Sequence, residues 1–147
     1  MNPICNCLSL RQATRRVTQL YDQALAPLDL RATQLSMLRT IDQLGPIALN
    51  PLAEAMVMDR ATLGHNVRPL QARGLVRLAV GKDRRSREVS LTKKGHETLT
   101  DGWKLWRRAQ NAFEKELGPD TAAMLRGLLH RVSATAFTLE ARLHPAV

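Results

Sequence analysis

A chain of 147 residues, 44% of them apolar, carries enough hydrophobic side chains for a folded core, which excludes a disordered tail and fits one domain or one protomer of an intertwined oligomer. Its formal charge of +9 suits a polyanionic partner, yet at 3% the aromatics are too few for the stacking platforms that hold single strands and RNA loops, so duplex DNA is the better candidate. No apolar run nears the roughly 18 residues of a membrane span, residues 1–16 lack a signal-peptide core, and Cys5 and Cys7 are too few and too local for a disulfide scaffold, so a cytoplasmic protein with no membrane partner is expected.

Leu8 to Leu28 is predicted as a helix with Leu10, Ala13, Val17, Leu20, Ala24 and Leu28 along one stripe, ended by Pro27 and Asp29. A second helix is expected from Thr33 to Leu44 on Leu35, Leu38 and Ile41, and Gly45-Pro46 stops it. Ile47 to Leu49 suits a short strand able to pair with a later hairpin. Asn50-Pro51 then reads as an N-cap with proline at the first helical position, opening a short helix to Met56 that presents Leu52, Ala53 and Met56. Val57-Met58 is a tight connection to Asp59, the expected N-cap of the next helix, so the two helices form a helix-turn-helix.

In that next helix Leu63, Val67 and Leu70 recur at spacings of three and four and should face inward. Arg60, Ala61, Gly64, His65 and Arg68 are left on the outward face, where base edges would be met, with Thr62 and Asn66 flanking them. Pro69 predicts either a bend or an early end. Gly74 stops the helix, Leu75 to Val80 and Glu88 to Leu91 read as strands, and Gly81 with Lys82, Asp83, Arg84, Arg85 and Arg87 forms a basic tip between them. From Val57 to Lys94 ten Lys or Arg face three acids, so this quarter of the chain holds +7 of the +9. Helix, strand, charged turn and strand make a winged helix-turn-helix, which lays one helix in a major groove and its wing on the flanking backbone or minor groove.

Thr92 to Leu117 is predicted as a long helix with Leu99, Trp103, Trp106, Ala109 (or Gln110) and Phe113 as its seam. Gly118-Pro119 breaks it, and a last helix is expected over Asp120 to Leu143 on Leu125, Leu128, Leu129, Val132, Ala136, Leu139 and Leu143. The expected fold is mainly α with a small β-wing: a module at 31–99, with helices at 1–30 and 100–147 surplus to it. Those helices either pack on their own chain or build an intertwined homodimer, which would address a near-palindromic operator. Acids are few and scattered, no Ser-His-Asp set or glycine cluster stands out, and Cys5, Cys7, His96, His130 and His144 have no recognised zinc spacing; no enzyme, cofactor or metal is expected.

The wing pattern D-x-R, three residues, V-x-L-T-x-x-G, met by Asp83, Arg85, Val89, Leu91, Thr92 and Gly95, resembles the MarR family of bacterial transcriptional regulators. Leu52-Ala53-Glu54, Asp59-Arg60 through Leu63, and Arg73 to Val76 resemble it too, as does the helix order over nearly the whole length. The resemblance implies an obligate dimer of triangular outline with a winged module at each lower corner, usually acting as a repressor. It implies that Arg85 enters the minor groove and that Asp83 holds the wing through a nearby arginine. Gly64-His65 departs from the Thr-Arg or Ser-Arg of many relatives; His65 suits a donor to guanine or phosphate, or a merely solvated residue.

The same resemblance implies release of DNA by a small aromatic or carboxylic ligand, for which Arg11 and Arg15 are candidate anchors, or by thiol oxidation. For the latter, aligning Gln34 and Tyr21 with the organic-peroxide-sensing branch puts Cys7 at its reactive cysteine, although Arg11 and Ala32 stand where that branch has further tyrosines. A non-specific architectural DNA-binding protein is the rival from another class.

Overall fold

The computed structural model describes residues 5–81 and 86–138. Its elements run α1 (Asn6–Leu25), a 3-10 turn (Ala26–Leu28), α2 (Ala32–Leu44), β1 (Ile47–Ala48), α3 (Leu49–Ala55), α4 (Arg60–Ala72), β2 (Val76–Val80), β3 (Arg87–Leu91), α5 (Lys93–Leu117) and α6 (Pro119–Ala134). The strands form one antiparallel sheet in the order β1-β3-β2, with Ile47 opposite Val89, Val76 opposite Leu91 and Leu78 opposite Val89. This is a winged helix-turn-helix: α3 and α4 are the helix pair, and β2–β3 is the wing.

Two compact units divide at Ala112/Phe113. In the first, one core gathers residues from all five of its helices and from β2 and β3: Leu25, Leu35, Leu38, Ile41, Leu52, Leu63, Val67, Leu70, Leu75, Val76, Val89 and Leu99 are all at most 5% exposed, with Leu28 and Ile47 packed against them. The second unit holds the end of α5 and α6, where Arg126 pairs with Glu114 at 2.9 Å. Within α6 only Ala122 is buried, whereas Met124, Leu128, Leu129 and Val132 stand exposed.

Several predicted boundaries move. The first helix ends at Leu25, and the 3-10 turn carries the chain to Asp29, whose left-handed backbone (φ 50°) reverses it. α3 begins at Leu49 with Ala48, not Asn50, as its N-cap, which sets Pro51 in the first turn where its missing N–H costs no helical bond. α6 stops at Ala134 because Thr135 turns extended, so the predicted continuation through Ala136 is not helical, and Leu139 and Leu143 lie outside the described residues. Pro69 neither ends nor halves α4, which runs on to Ala72. The bond it forfeits would fall on the carbonyl of His65, an exposed position where water can serve instead, and buried Val67 and Leu70 on either side hold the helix in place.

α3 and α4 end in the same way with different residues. After α4 the amide of Leu75 donates to the Leu70 carbonyl and that of Gly74 to Gln71, a Schellman closure with Gly74 at φ 68°. After α3 the amide of Met58 donates to Ala53 and that of Val57 to Glu54, and here the left-handed position (φ 52°) belongs to a β-branched residue 76% exposed. A left-handed residue with a Cβ costs roughly 1–2 kcal/mol, partly offset in glycine by its greater unfolded-state entropy. Val57→Gly is therefore expected to raise stability by about 0.5–1 kcal/mol. A thermal or urea melt checks this; a lower midpoint would show that Val57 makes a contact worth more than its strain.

Candidate nucleic-acid interface

α4 is fastened at its start by its own side chains. The Thr62 hydroxyl and amide both donate to the Asp59 carboxylate, at 2.6 and 2.8 Å, and these bonds hold that carboxyl below its ordinary value of 3.8. The Asn66 amide donates back to the Thr62 carbonyl at 2.8 Å. Thr62 and Asn66, both proposed from the sequence as flanking contacts, are thus already engaged within the helix.

Leu63, Val67 and Leu70 are buried as the periodicity predicts. At 100° per residue Ala61, His65 and Arg68 stand farthest from that triad, with Arg60 and Gly64 on one shoulder and Thr62 and Asn66 on the other. Arg60, Ala61, His65 and Arg68 are exposed, and among the described residues no hydrogen bond or ion pair engages the three polar ones. Nothing lies within 4 Å of where a Cβ on Gly64 would be.

The wing begins at a node that the basic count does not reveal. The Thr92 hydroxyl donates to the Gly74 carbonyl (2.7 Å) and accepts from the Gly95 amide (3.0 Å), while the Thr92 amide donates to Leu75 (3.1 Å). One threonine therefore joins the end of α4, the entry to β2 and the first turn of α5. Arg73, one of the ten cations, points inward: its guanidinium donates to the carbonyls of Leu28 and Asp29, and Lys94 Nζ donates to the Arg73 carbonyl at 2.9 Å. Arg77 Nε donates to Ser90 Oγ across the hairpin at 3.0 Å. Arg73 was missing from the sequence-level site because spacing cannot distinguish a clamp from a solvated cation.

Farther out the strands leave the core, so that Val80 is 64% exposed opposite an exposed Arg87. The Gly81 amide donates to the Ser86 carbonyl at 2.9 Å, and a Cβ on Gly81 would meet Ser86 Oγ and Glu88 Oε1, two side-chain ends that would have to turn aside. Lys82, Asp83, Arg84 and Arg85 lie outside the described residues.

Of the candidate effector residues, Cys7, Arg11 and Arg15 recur every four residues along one face of α1, and Tyr21 lies farther along the helix. Cys7 and Tyr21 sit on one helix, 14 residues and hence about 21 Å apart along its axis. Cys5, rather than Cys7, caps α1, its Sγ accepting from the Leu8 amide at 3.4 Å; both thiols are exposed. Tyr21 instead donates to Gln110 Oε1 at 2.6 Å, beside Trp106. Gln34 caps α2 by accepting from the Arg31 amide at 2.9 Å. Arg11 is exposed, and Arg15 lines an open depression with Gln12, Arg16 and Gln19. Among the described residues no helix is long and apolar enough to cross a membrane.

A sequence profile of the MarR family matches residues 30–86. No curated protein sequence matches the chain. Among solved structures, the transcriptional regulator MosR of M. tuberculosis in complex with DNA is 32% identical, covering 89% of this chain and 98% of its own, with a TM-score of 0.77. A probable transcriptional regulator from Pseudomonas aeruginosa is 31% identical over 84% of this chain and 92% of its own (TM-score 0.77). The transcriptional repressor CouR, bound to a 23-mer DNA duplex, is 27% identical over 88% and 92% (TM-score 0.81). Identity above 30% along almost the whole of MosR, together with the winged module just described, places this chain in the MarR family of DNA-binding transcriptional regulators.

Proposed function

We propose that the protein is a homodimeric, sequence-specific repressor that binds a near-palindromic operator in the cytoplasm and leaves it when a small aromatic or carboxylic ligand binds. The observation that carries the reading is the outward face of α4, whose polar side chains have no partner among the described residues while their neighbours are tied into the helix. In this reading residues 31–99 are the DNA-binding module. Arg60, Gly64, His65 and Arg68 meet the major groove, and Lys82, Asp83, Arg84, Arg85 and Arg87 meet the flanking backbone and minor groove, where narrow grooves attract arginine. Thr62 and Asn66 support that face rather than touch DNA.

Residues 1–30 and 100–147 would dimerise. Leu8, Leu10, Leu117, Met124, Leu128, Leu129 and Val132 are exposed on the helices concerned, and a second copy is the economical cover. Pairing sets the two modules on half-sites about one helical turn apart, roughly 34–36 Å. MosR, solved in complex with DNA, and CouR, bound to a 23-mer duplex, support duplex DNA as the partner. For the effector, the depression beside Arg15 and Arg16 offers two guanidinium groups and two amides, a set suited to a carboxylate. Oxidation of Cys7 is the second reading: its exposure favours it, and its distance from Tyr21 requires any partner of the thiol to come from elsewhere.

Operator selection followed by an anisotropy titration tests the function. The preferred duplex is expected to bind about 10³-fold or more tightly than random DNA, both losing affinity as salt rises. Equal affinity for both duplexes would point to an architectural protein. Aromatic acids and peroxide can be added to the same complex; peroxide release that survives Cys7→Ser would remove Cys7.

A further inference from the structure

We propose that the base-reading edge of α4 is the stripe Ala61, His65 and Arg68, and that its two polar members select guanine, so that each half-site carries two guanines within about three base pairs. The inference rests on the DNA-binding reading above and goes further in naming the bases. Three observations bring it about.

First, the polar side chains of α4 separate into engaged and free groups. The Thr62 hydroxyl donates to Asp59 and one N–H of the Asn66 amide donates to the Thr62 carbonyl, so both side chains are turned back on the helix itself. Reading adenine needs the amide aimed outward, its oxygen at N6 and an N–H at N7, and an Asn66 turned back on its own helix is not set for that pair. Second, His65 and Arg68 are exposed and farthest from the buried triad, and one residue per turn on that stripe follows a groove. Ala61 to Arg68 rises about 10 Å along the axis, which spans about three base pairs at roughly 3.4 Å each. Third, Gly64 puts no side chain on the shoulder beside His65 and Arg68, with nothing within 4 Å of the missing Cβ, so at that level the stripe can approach the groove floor closely.

The chemistry of the stripe then selects the bases. A guanidinium donates two parallel bonds to O6 and N7 of guanine, and no other base edge in the major groove offers that pair of acceptors. An imidazole N–H donates to one of the same acceptors. Ala61 has only a methyl group to offer, which suits contact with a thymine methyl. Arg60, on the shoulder, is left to a phosphate.

The test is selection of preferred duplexes from a random library, read by sequencing, with the full chain and with Arg68→Lys, His65→Ala and Asn66→Ala. The wild type is expected to enrich half-sites containing two guanines. Arg68→Lys keeps the charge, so its affinity for random DNA and its salt dependence should match the wild type, while preference at one guanine falls by roughly tenfold or more. His65→Ala should relax the other guanine, and Asn66→Ala should leave the selected site unchanged. An enriched site without preferred guanines, or one whose bases change in Asn66→Ala but not in Arg68→Lys, overturns the assignment and leaves the regulator reading standing. No enriched site at all overturns both.

Discussion

Gly95→Ala is expected to lower stability by about 3 kcal/mol or more and the melting temperature by roughly 10 °C, with a wing that no longer docks. A Cβ at this position would be driven into the backbone carbonyl of Leu75, a group with no rotamer through which to retreat. That carbonyl already accepts from the Thr92 amide, and Thr92 in turn accepts from Gly95, so one added carbon disturbs the junction of α4, β2 and α5 together. Gly102 gives a contrast on the same helix. Its missing Cβ faces the end of the Leu35 side chain, which can rotate, so Gly102→Ala is the milder control. Thermal melts of the two variants measure the difference, and equal midpoints would show that the first turn of α5 shifts freely.

Leu128→Glu is expected to raise the dimer dissociation constant by about a hundredfold or more and to weaken operator binding with it. Leu128 is 49% exposed in the single chain, so the change leaves the fold of one copy largely untouched. In the proposed dimer the same position is covered in both copies, and each copy would place an unpaired carboxylate in an apolar contact, a cost of several kcal/mol. Light scattering across a dilution series gives the mass, and an anisotropy titration gives the affinity. A variant that remains dimeric at nanomolar concentration with full operator affinity would remove α6 from the interface.

Much of the architecture could be read from residue spacing alone, for reasons the structure makes explicit. The inward triad of α4 was legible because Leu63, Val67 and Leu70 follow the helical period and meet one continuous core. The wing was legible because Gly74 and Gly81 occupy places where a side chain would be strained or crowded. α6 was overextended because the apolar period continues past Ala134, whereas helical length depends on burial, and α6 buries only Ala122. The start of α3 was misplaced because β1 is only two residues long, so the chain enters the helix before Asn50 can cap it. At the candidate interface Asp59 was legible as a cap, and five residues were set on the outward face of α4 with Thr62 and Asn66 flanking it, by angle alone. Their division into free and engaged groups depends on rotamers, which no spacing records.

Arg73 has one more consequence. Through it the last turn of α4 grips the two carbonyls that follow α1, while Lys94 holds the same turn from the start of α5. These anchorages make α4, the helix proposed to face DNA, a lever with its handle elsewhere. A small tilt at the end of α1 cannot be absorbed by a slack loop, because the guanidinium fork bridges directly from one backbone to the other. Lysine, with a single ammonium in place of the fork, would let the two ends drift apart, and the stripe of Ala61, His65 and Arg68 would lose its fixed angle without any contact at the groove having changed.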